Sequence, residues 1–210
     1  MDGILIDSEN KWQQTERVLF GELGVELTDE LLAQSRGLRT IEMVKFWHGR
    51  FDIDMGVPEI QDEYDSRMLT TMRTEVPLME GALEALEFFR LKNIPIALAS
   101  CSTMAHIEAA MERHSLTEYF VHMATADGQM PGKPHPEIYL HTARLLKTDP
   151  TRCLAIEDSF FGVVSALAAR MKVIAMPDPH EAGQPRFNAA HTVISSLREI
   201  DEVLFDKLNR

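Results

Sequence analysis

Cys153-Leu-Ala-Ile156 is an unbroken apolar run that stops abruptly at Glu157-Asp158-Ser159, two acids and a hydroxyl. A run this short has no polar alternate positions, so it reads as a strand buried on both faces. The same texture recurs on either side. Ile94-Pro-Ile-Ala-Leu-Ala99 ends in Ser100-Cys101-Ser102, a further run lies around Tyr119–Met123, and Lys172-Val-Ile-Ala-Met176 makes a fourth. Helical stretches separate them, near Gly81–Leu91, over Thr103–His114, after Pro136 at a first helical position, and near Phe160–Ala169. Buried runs alternating with helices predict an α/β fold built on a doubly wound parallel sheet. Such sheets bind ligands at the carboxyl ends of their strands.

Residues from about Glu9 to Arg73 have another texture, that of consecutive amphipathic helices with no strand pattern between them. Trp12, Thr15, Leu19 and Leu23 share one face before Gly24, and Ser8 is placed to cap the start. Thr40 is placed to cap a segment carrying Ile41, Val44 and Trp47, while Ile60, Tyr64, Met68 and Met72 mark another. The Met-rich stripe is most simply core packing. The expected organisation is a Rossmann-like core from residues 1–8 and 77–210, with an all-helical insert over 9–76.

Composition narrows the function classes. A chain of 210 residues, 45% hydrophobic, can bury one sizeable core and a smaller inserted unit. The net charge of −12 argues against a nucleic-acid partner and makes any anion site a local construction, from a cation, a Lys or Arg and backbone N–H groups. No apolar run approaches membrane-spanning length, and the acidic start fits neither a signal nor a transit peptide. Two cysteines, Cys101 and Cys153, are too few for a disulfide framework. A cytoplasmic protein without a membrane partner is the plain expectation, and a monomer is favoured although no residue sets the oligomeric state.

Three strand ends or their neighbours carry polar groups: Ser100-Cys101-Ser102, then Gly132-Lys133-Pro134, then Glu157-Asp158. Singly, each has a plainer reading. Serines and acid pairs cap helices, a loop lysine is usually solvated, and Asp2-Gly3 at the chain start is a common turn. Their order is what raises them, because hydroxyl, lysine and acid pair at successive sheet ends converge on one point.

That order, with Met1-Asp2-Gly3-Ile4-Leu5-Ile6-Asp7-Ser8, Lys133-Pro134-His135-Pro136 and Ala155-Ile156-Glu157-Asp158-Ser159-Phe160-Phe161-Gly162, resembles the haloacid dehalogenase superfamily over essentially the whole chain. The helical stretch falls where that family inserts a helical cap. Leu98-Ala99-Ser100, the Lys133–Pro136 stretch and the Gly37-Leu38-Arg39 turn look most like sugar-phosphate phosphatases of the 2-deoxyglucose-6-phosphate type, in the beta-phosphoglucomutase-like subgroup. The resemblance implies a phosphatase with Mg²⁺ as cofactor and a small phosphorylated sugar or polyol as substrate. It implies Asp2 as general acid and base, its carbonyl also touching the metal. Asp158 would be the main side-chain metal ligand, with Glu157 in support. Ser100 and the Cys101 N–H would hold the phosphoryl oxygens, and Lys133 would balance charge. Arg39, between cap helices, is the candidate substrate contact, ahead of Arg36. His135 is expected to shape its loop, and no base is found that would make Cys101 a nucleophile.

One element of the family pattern falls outside the sequence. The nucleophilic aspartate belongs two residues before Asp2, directly ahead of Met1, at the end of an apolar strand normally central in the sheet. A start assigned at an internal methionine is the preferred origin, since every other motif is intact; a truncated chain and a genuinely short product stay open. As it stands the 210-residue chain is expected not to turn over by the family mechanism. Two rival readings remain, a sugar phosphomutase on the same fold and a non-catalytic phosphate-ester binder. Mutases of this type carry a His and a Lys on the first cap helix, near where this chain has Trp12 and Glu16.

Overall fold

A computed structural model of the chain describes residues 1–35, 37–128 and 130–209, so Arg36 lies outside the described residues. Two compact units form, Ser8–Val76 and Met1–Asp7 with Pro77–Arg210.

The Ser8–Val76 unit consists of α1 (Glu9–Glu22), α2 (Asp29–Ser35), α3 (Thr40–His48) and α4 (Val57–Thr74). Ile60, Tyr64, Met68 and Met72 form the buried stripe of α4, as their i, i+4 spacing requires. Val44 and Trp47 of α3 are buried as well, as are Leu19 and Phe20 of α1. Trp12 stacks on Tyr64 at 5.8 Å between ring centroids, and the Tyr64 hydroxyl donates to the Trp12 carbonyl at 3.0 Å. Two expectations are corrected here. Ser8 stands at the N-cap of α1, but its side chain makes no capping bond. Thr40 is the first residue of α3 and not its cap. Arg39 takes that place, its backbone N–H donating to Glu42 at 3.2 Å.

The other unit continues with α5 (Ala82–Leu91), β1 (Ile96–Ser100), α6 (Met104–Arg113), β2 (Phe120–Thr125), α7 (Glu137–Leu145), β3 (Leu154–Glu157), α8 (Phe160–Ala168), β4 (Lys172–Ala175), β5 (Thr192–Val193) and α9 (Glu202–Asn209). Each anticipated run became a strand, shifted by one or two residues. Thr103 caps α6 by accepting from the His106 N–H, and Pro136 is the N-cap of α7, one residue ahead of the helix and not its first residue as expected. All strand pairs are parallel, and they fall into two sheets, β1-β2 and β3-β4-β5. Ala99 sits opposite Ala124 in the first, and Ile156 opposite Ile174 in the second. Residues 1–6 form no strand. They coil into a tight turn in which the N–H of Leu5 donates to the Met1 carbonyl at 2.7 Å, and that of Gly3 to Ile6 at 2.9 Å. Ile4, Leu5 and Ile6 are buried, and Ile6 bridges to Leu78. The fold is α/β with parallel sheets and a helical cap, divided between β1 and β3. Among the described residues no helix is long and apolar enough to cross a membrane, and both cysteines are free thiols.

Candidate active site

The carboxyl ends of β1 and β3 bring polar groups together because each strand is apolar until its last residue. Ser100 closes β1 and is buried, and its Oγ accepts the N–H of Ser102 at 3.1 Å. Ser102 in turn donates its hydroxyl to Oδ2 of Asp2 at 2.9 Å, tying the loop after β1 to the chain start. Sequence alone suggests no more for Ser102 than a helix cap. Thr125, at the end of β2, donates to the Ser102 carbonyl at 2.6 Å and holds that loop in place.

Glu157 closes β3 and is only 3% exposed. Its Oε1 accepts from both the Lys133 ammonium and the Tyr139 hydroxyl, and its Oε2 accepts from the Ser159 hydroxyl at 3.2 Å. Burial pushes this carboxyl up, yet the Lys133 charge and these donors outweigh it and hold it below the usual carboxylate range. Burial likewise opposes the charge on Lys133, and Glu157 more than restores it, so the ammonium stays well above its ordinary value. Tyr139, which sequence alone did not single out, lies under Lys133 with its ring centroid 5.3 Å from Nζ. A tyrosine one turn into a helix after the lysine loop carries no motif that would have marked it.

Asp158 behaves oppositely to its neighbour. Burial and then the Glu157 charge raise its carboxyl to about 7, with Asp2 adding to the rise while the chain amino group and Lys133 oppose it. Two glycines make this packing possible. Gly3 has φ +65°, and a Cβ there would overlap the Asp158 carboxylate; a Cβ on Gly162 would overlap that of Glu157. His135 shapes its loop as expected, its carbonyl accepting from Ser165 at 2.7 Å and its Nδ1 from the Glu137 N–H at 3.2 Å. Cys101 is half-buried beside this cluster and contributes to the field on Lys133.

Asp2, Ser100, Lys133, Glu157 and Asp158 therefore meet at one end of the two sheets, with Ser102 and Tyr139 as added anchors. Among the described residues no group of three or more His, Cys, Asp or Glu side chains is arranged to hold a metal ion. Glu157 is engaged by Lys133, Tyr139 and Ser159, and Asp2 accepts from Ser102, while Asp158 lies within the field of both carboxylates. A carboxyl that burial and the neighbouring Glu157 charge keep from ionising readily suits a hard cation that keeps part of its water. Arg39 belongs to the helical unit, where its Nη2 pairs with Glu42 at 2.6 Å.

Residues 1–176 match the model of the haloacid dehalogenase-like hydrolases. The chain belongs to that family. Hexitol phosphatase B of Escherichia coli K12 is 33% identical over 202 residues, covering 95% of this chain and 91% of that protein. Hexitol phosphatase A of the same strain is 32% identical over 210 residues, covering 95% and 90%. Among solved structures, CbbY from Rhodobacter sphaeroides in complex with phosphate superposes with a TM-score of 0.85 at 22% identity, covering 95% of this chain and 92% of that one, which speaks to the fold. Within the family this dehalogenase-like hydrolase is a phosphatase.

Proposed function

We infer that this phosphatase hydrolyses a small sugar or polyol phosphomonoester with Mg²⁺ as cofactor, through an aspartyl-phosphate on an aspartate directly ahead of Met1. The observation that carries the reading is the meeting of Asp2, Ser100, Lys133 and the Glu157-Asp158 pair at one end of the sheets. The Ser100 hydroxyl and the Cys101 N–H would hold the phosphoryl oxygens. Lys133, kept charged and in place by Glu157 and Tyr139, would stabilise charge building on phosphorus and its oxygens. Asp2, oriented by Ser102, would give its proton to the leaving alkoxide and later take one from water. Bound Mg²⁺ would supply positive charge to the phosphoryl group, held by Asp158 and Asp2, with Glu157 behind them. That charge would also bring the Asp158 carboxyl down into its ionised form.

Two features favour the hydrolase over the mutase. Where mutases place a His and a Lys, Trp12 is stacked on Tyr64, and Glu16 is buried beneath Trp47. Neither offers a second acid–base pair for returning the phosphoryl group.

A chain extended by an apolar segment ending in Asp directly ahead of Met1, assayed on hexitol and hexose phosphates, tests the reading. It should turn over with Mg²⁺, stop with EDTA, and exceed the 210-residue chain by roughly three orders of magnitude or more. Asp158→Ala in the extended chain should abolish the metal-dependent rate. Equal rates for the two chain lengths would overturn the covalent mechanism. Activity surviving Asp158→Ala would make the acid pair structural.

The cap residue Arg39 is assigned the part of the substrate beyond the phosphate, because its planar fork of donors suits sugar hydroxyls. Arg39→Ala in the extended chain should lower kcat/KM on a good sugar phosphate by about 1–3 kcal/mol, and much less on p-nitrophenyl phosphate. Equal losses would assign Arg39 to general phosphate binding or cap closure.

A further inference from the structure

The turn that carries Arg39 joins α2, ending at Ser35, to α3, starting at Thr40. Each side of this turn is bonded to its own helix. The Leu38 N–H donates to the Ser35 carbonyl at 3.1 Å. On the other side Glu42 accepts both the Arg39 backbone N–H and its guanidinium, at 3.2 and 2.6 Å. The shape of the turn therefore follows from where α2 stands against α3. By itself α2 sets little of that. It has seven residues, below the length at which a helix is stable alone, and buries only Leu32 and Ser35. One atom holds both helices. Oε1 of Glu16, on α1, accepts from the Ser35 hydroxyl and from the Trp47 indole N–H of α3, each at 2.6 Å. All three side chains are buried. Arg50 also ties α2 to the chain beyond α3, donating to Gln34 at 2.7 Å, but that bond is exposed and water competes for it.

We propose that Glu16 is a positioning residue for substrate selection. Its Oε1 fixes the Gly37-Leu38-Arg39 turn through Ser35 and Trp47, and so fixes where Arg39 meets a sugar or polyol. This rests on the assignment of Arg39 to the part of the substrate beyond the phosphate. A carboxyl buried in a helical core costs free energy that an apolar side chain there would not. What the oxygen adds is direction. Apolar contacts are non-directional and let a short helix slide, whereas two short bonds on one oxygen fix distance and angle together. An arginine selects hydroxyls by a planar fork of donors, and a displacement of about 1 Å spoils that match. Ser100 and Lys133, the groups proposed to act on the phosphate, belong to the other unit. Loss of the clamp should therefore spare a substrate that has no sugar.

Amide exchange in the 210-residue chain and kinetics in the extended chain test this role. Glu16→Leu removes the acceptor, and Glu16→Gln keeps an acceptor without the charge. Glu16→Leu should speed exchange at Leu38 and Arg39 by roughly tenfold or more, with Glu16→Gln staying near the parent. On sorbitol 6-phosphate, Glu16→Leu should lower kcat/KM about tenfold, mainly through KM, with a much smaller loss on p-nitrophenyl phosphate. Ser35→Ala breaks the link to α2 alone and should show the same selectivity, which keeps the test decisive if Glu16→Leu does not fold. Unchanged exchange at Leu38 overturns the proposal. So do equal losses on the two substrates, which would mark a general weakening of the helical unit, or a Glu16→Gln enzyme as unselective as Glu16→Leu. Arg39→Ala, run beside these, separates two failures. A selective loss there with none in Glu16→Leu or Ser35→Ala sinks the clamp alone. No selective loss in Arg39→Ala sinks the substrate reading of Arg39, and the proposal with it.

Discussion

Two buried glutamates, one in each unit, have opposite electrostatic fates. Glu16 of α1 is 6% exposed and Glu157 of β3 is 3% exposed. Among the described residues Glu16 accepts from two neutral donors, the Ser35 hydroxyl and the Trp47 indole N–H, each at 2.6 Å. Burial outweighs them, and its carboxyl is raised above the ordinary 4.5. Glu157 has a tyrosine hydroxyl and an ammonium, and its carboxyl is lowered. Equal burial thus says little about charge; the partner does. In the helical unit the carboxyl acts as a pin joining α1 to the end of α2 and to α3. In the α/β unit it keeps a lysine charged and aimed, as a site for an anion requires.

The largest expected effect comes from removing the cation. Lys133→Met leaves Glu157 buried beside Tyr139 without its ammonium partner, and should cost roughly 3–5 kcal/mol in urea denaturation. A loss under about 1 kcal/mol would mean that Glu157 reaches water and that the two glutamates are held alike. Trp47→Phe keeps a ring in the cap core but deletes the donor to Glu16, and should cost about 1–3 kcal/mol by the same measurement. A neutral result would leave Ser35 as a sufficient partner and the pin as a single bond.

The smallest effect is a slope with pH. Because Glu16 is raised when folded, its proton contributes stability fully below the unfolded value of 4.5, and that contribution is lost as pH rises through the folded value. Glu16→Gln does not ionise. Its stability relative to the parent should therefore rise from about pH 4 to 7, by under roughly 1 kcal/mol. A falling difference over that range would show that the folded state favours the ionised carboxylate, and the contrast with Glu157 would be gone.

Legibility followed the range of the interaction. The stripe Ile60, Tyr64, Met68 and Met72 was readable because helical period and burial agree at every position. The α1 face was only partly readable. Glu16 interrupts the apolar pattern, and its donors stand 19 and 31 residues away. β5 was not anticipated, since two residues carry no period and only pairing with β4 makes them a strand. α2 and α9 were not singled out either, being only seven and eight residues long. In the site, Ser100, Lys133 and Glu157-Asp158 stood out by type and order, whereas Ser102 and Tyr139 acquire roles only through partners at a distance in the chain.

The sequence by itself determined the alternation of buried strands and helices, the separate texture of residues 9–76, and the types of side chain at the strand ends. Those are local properties, written in apolar period and in the residue that ends each run. Tertiary structure alone decided which carboxylate is charged, which serine holds Asp2, and where the parallel ladder parts. Each of these depends on what stands across a gap from a given group. Hydrogen-bond partners and backbone edges are brought there by folding, from positions that adjacent residues do not encode.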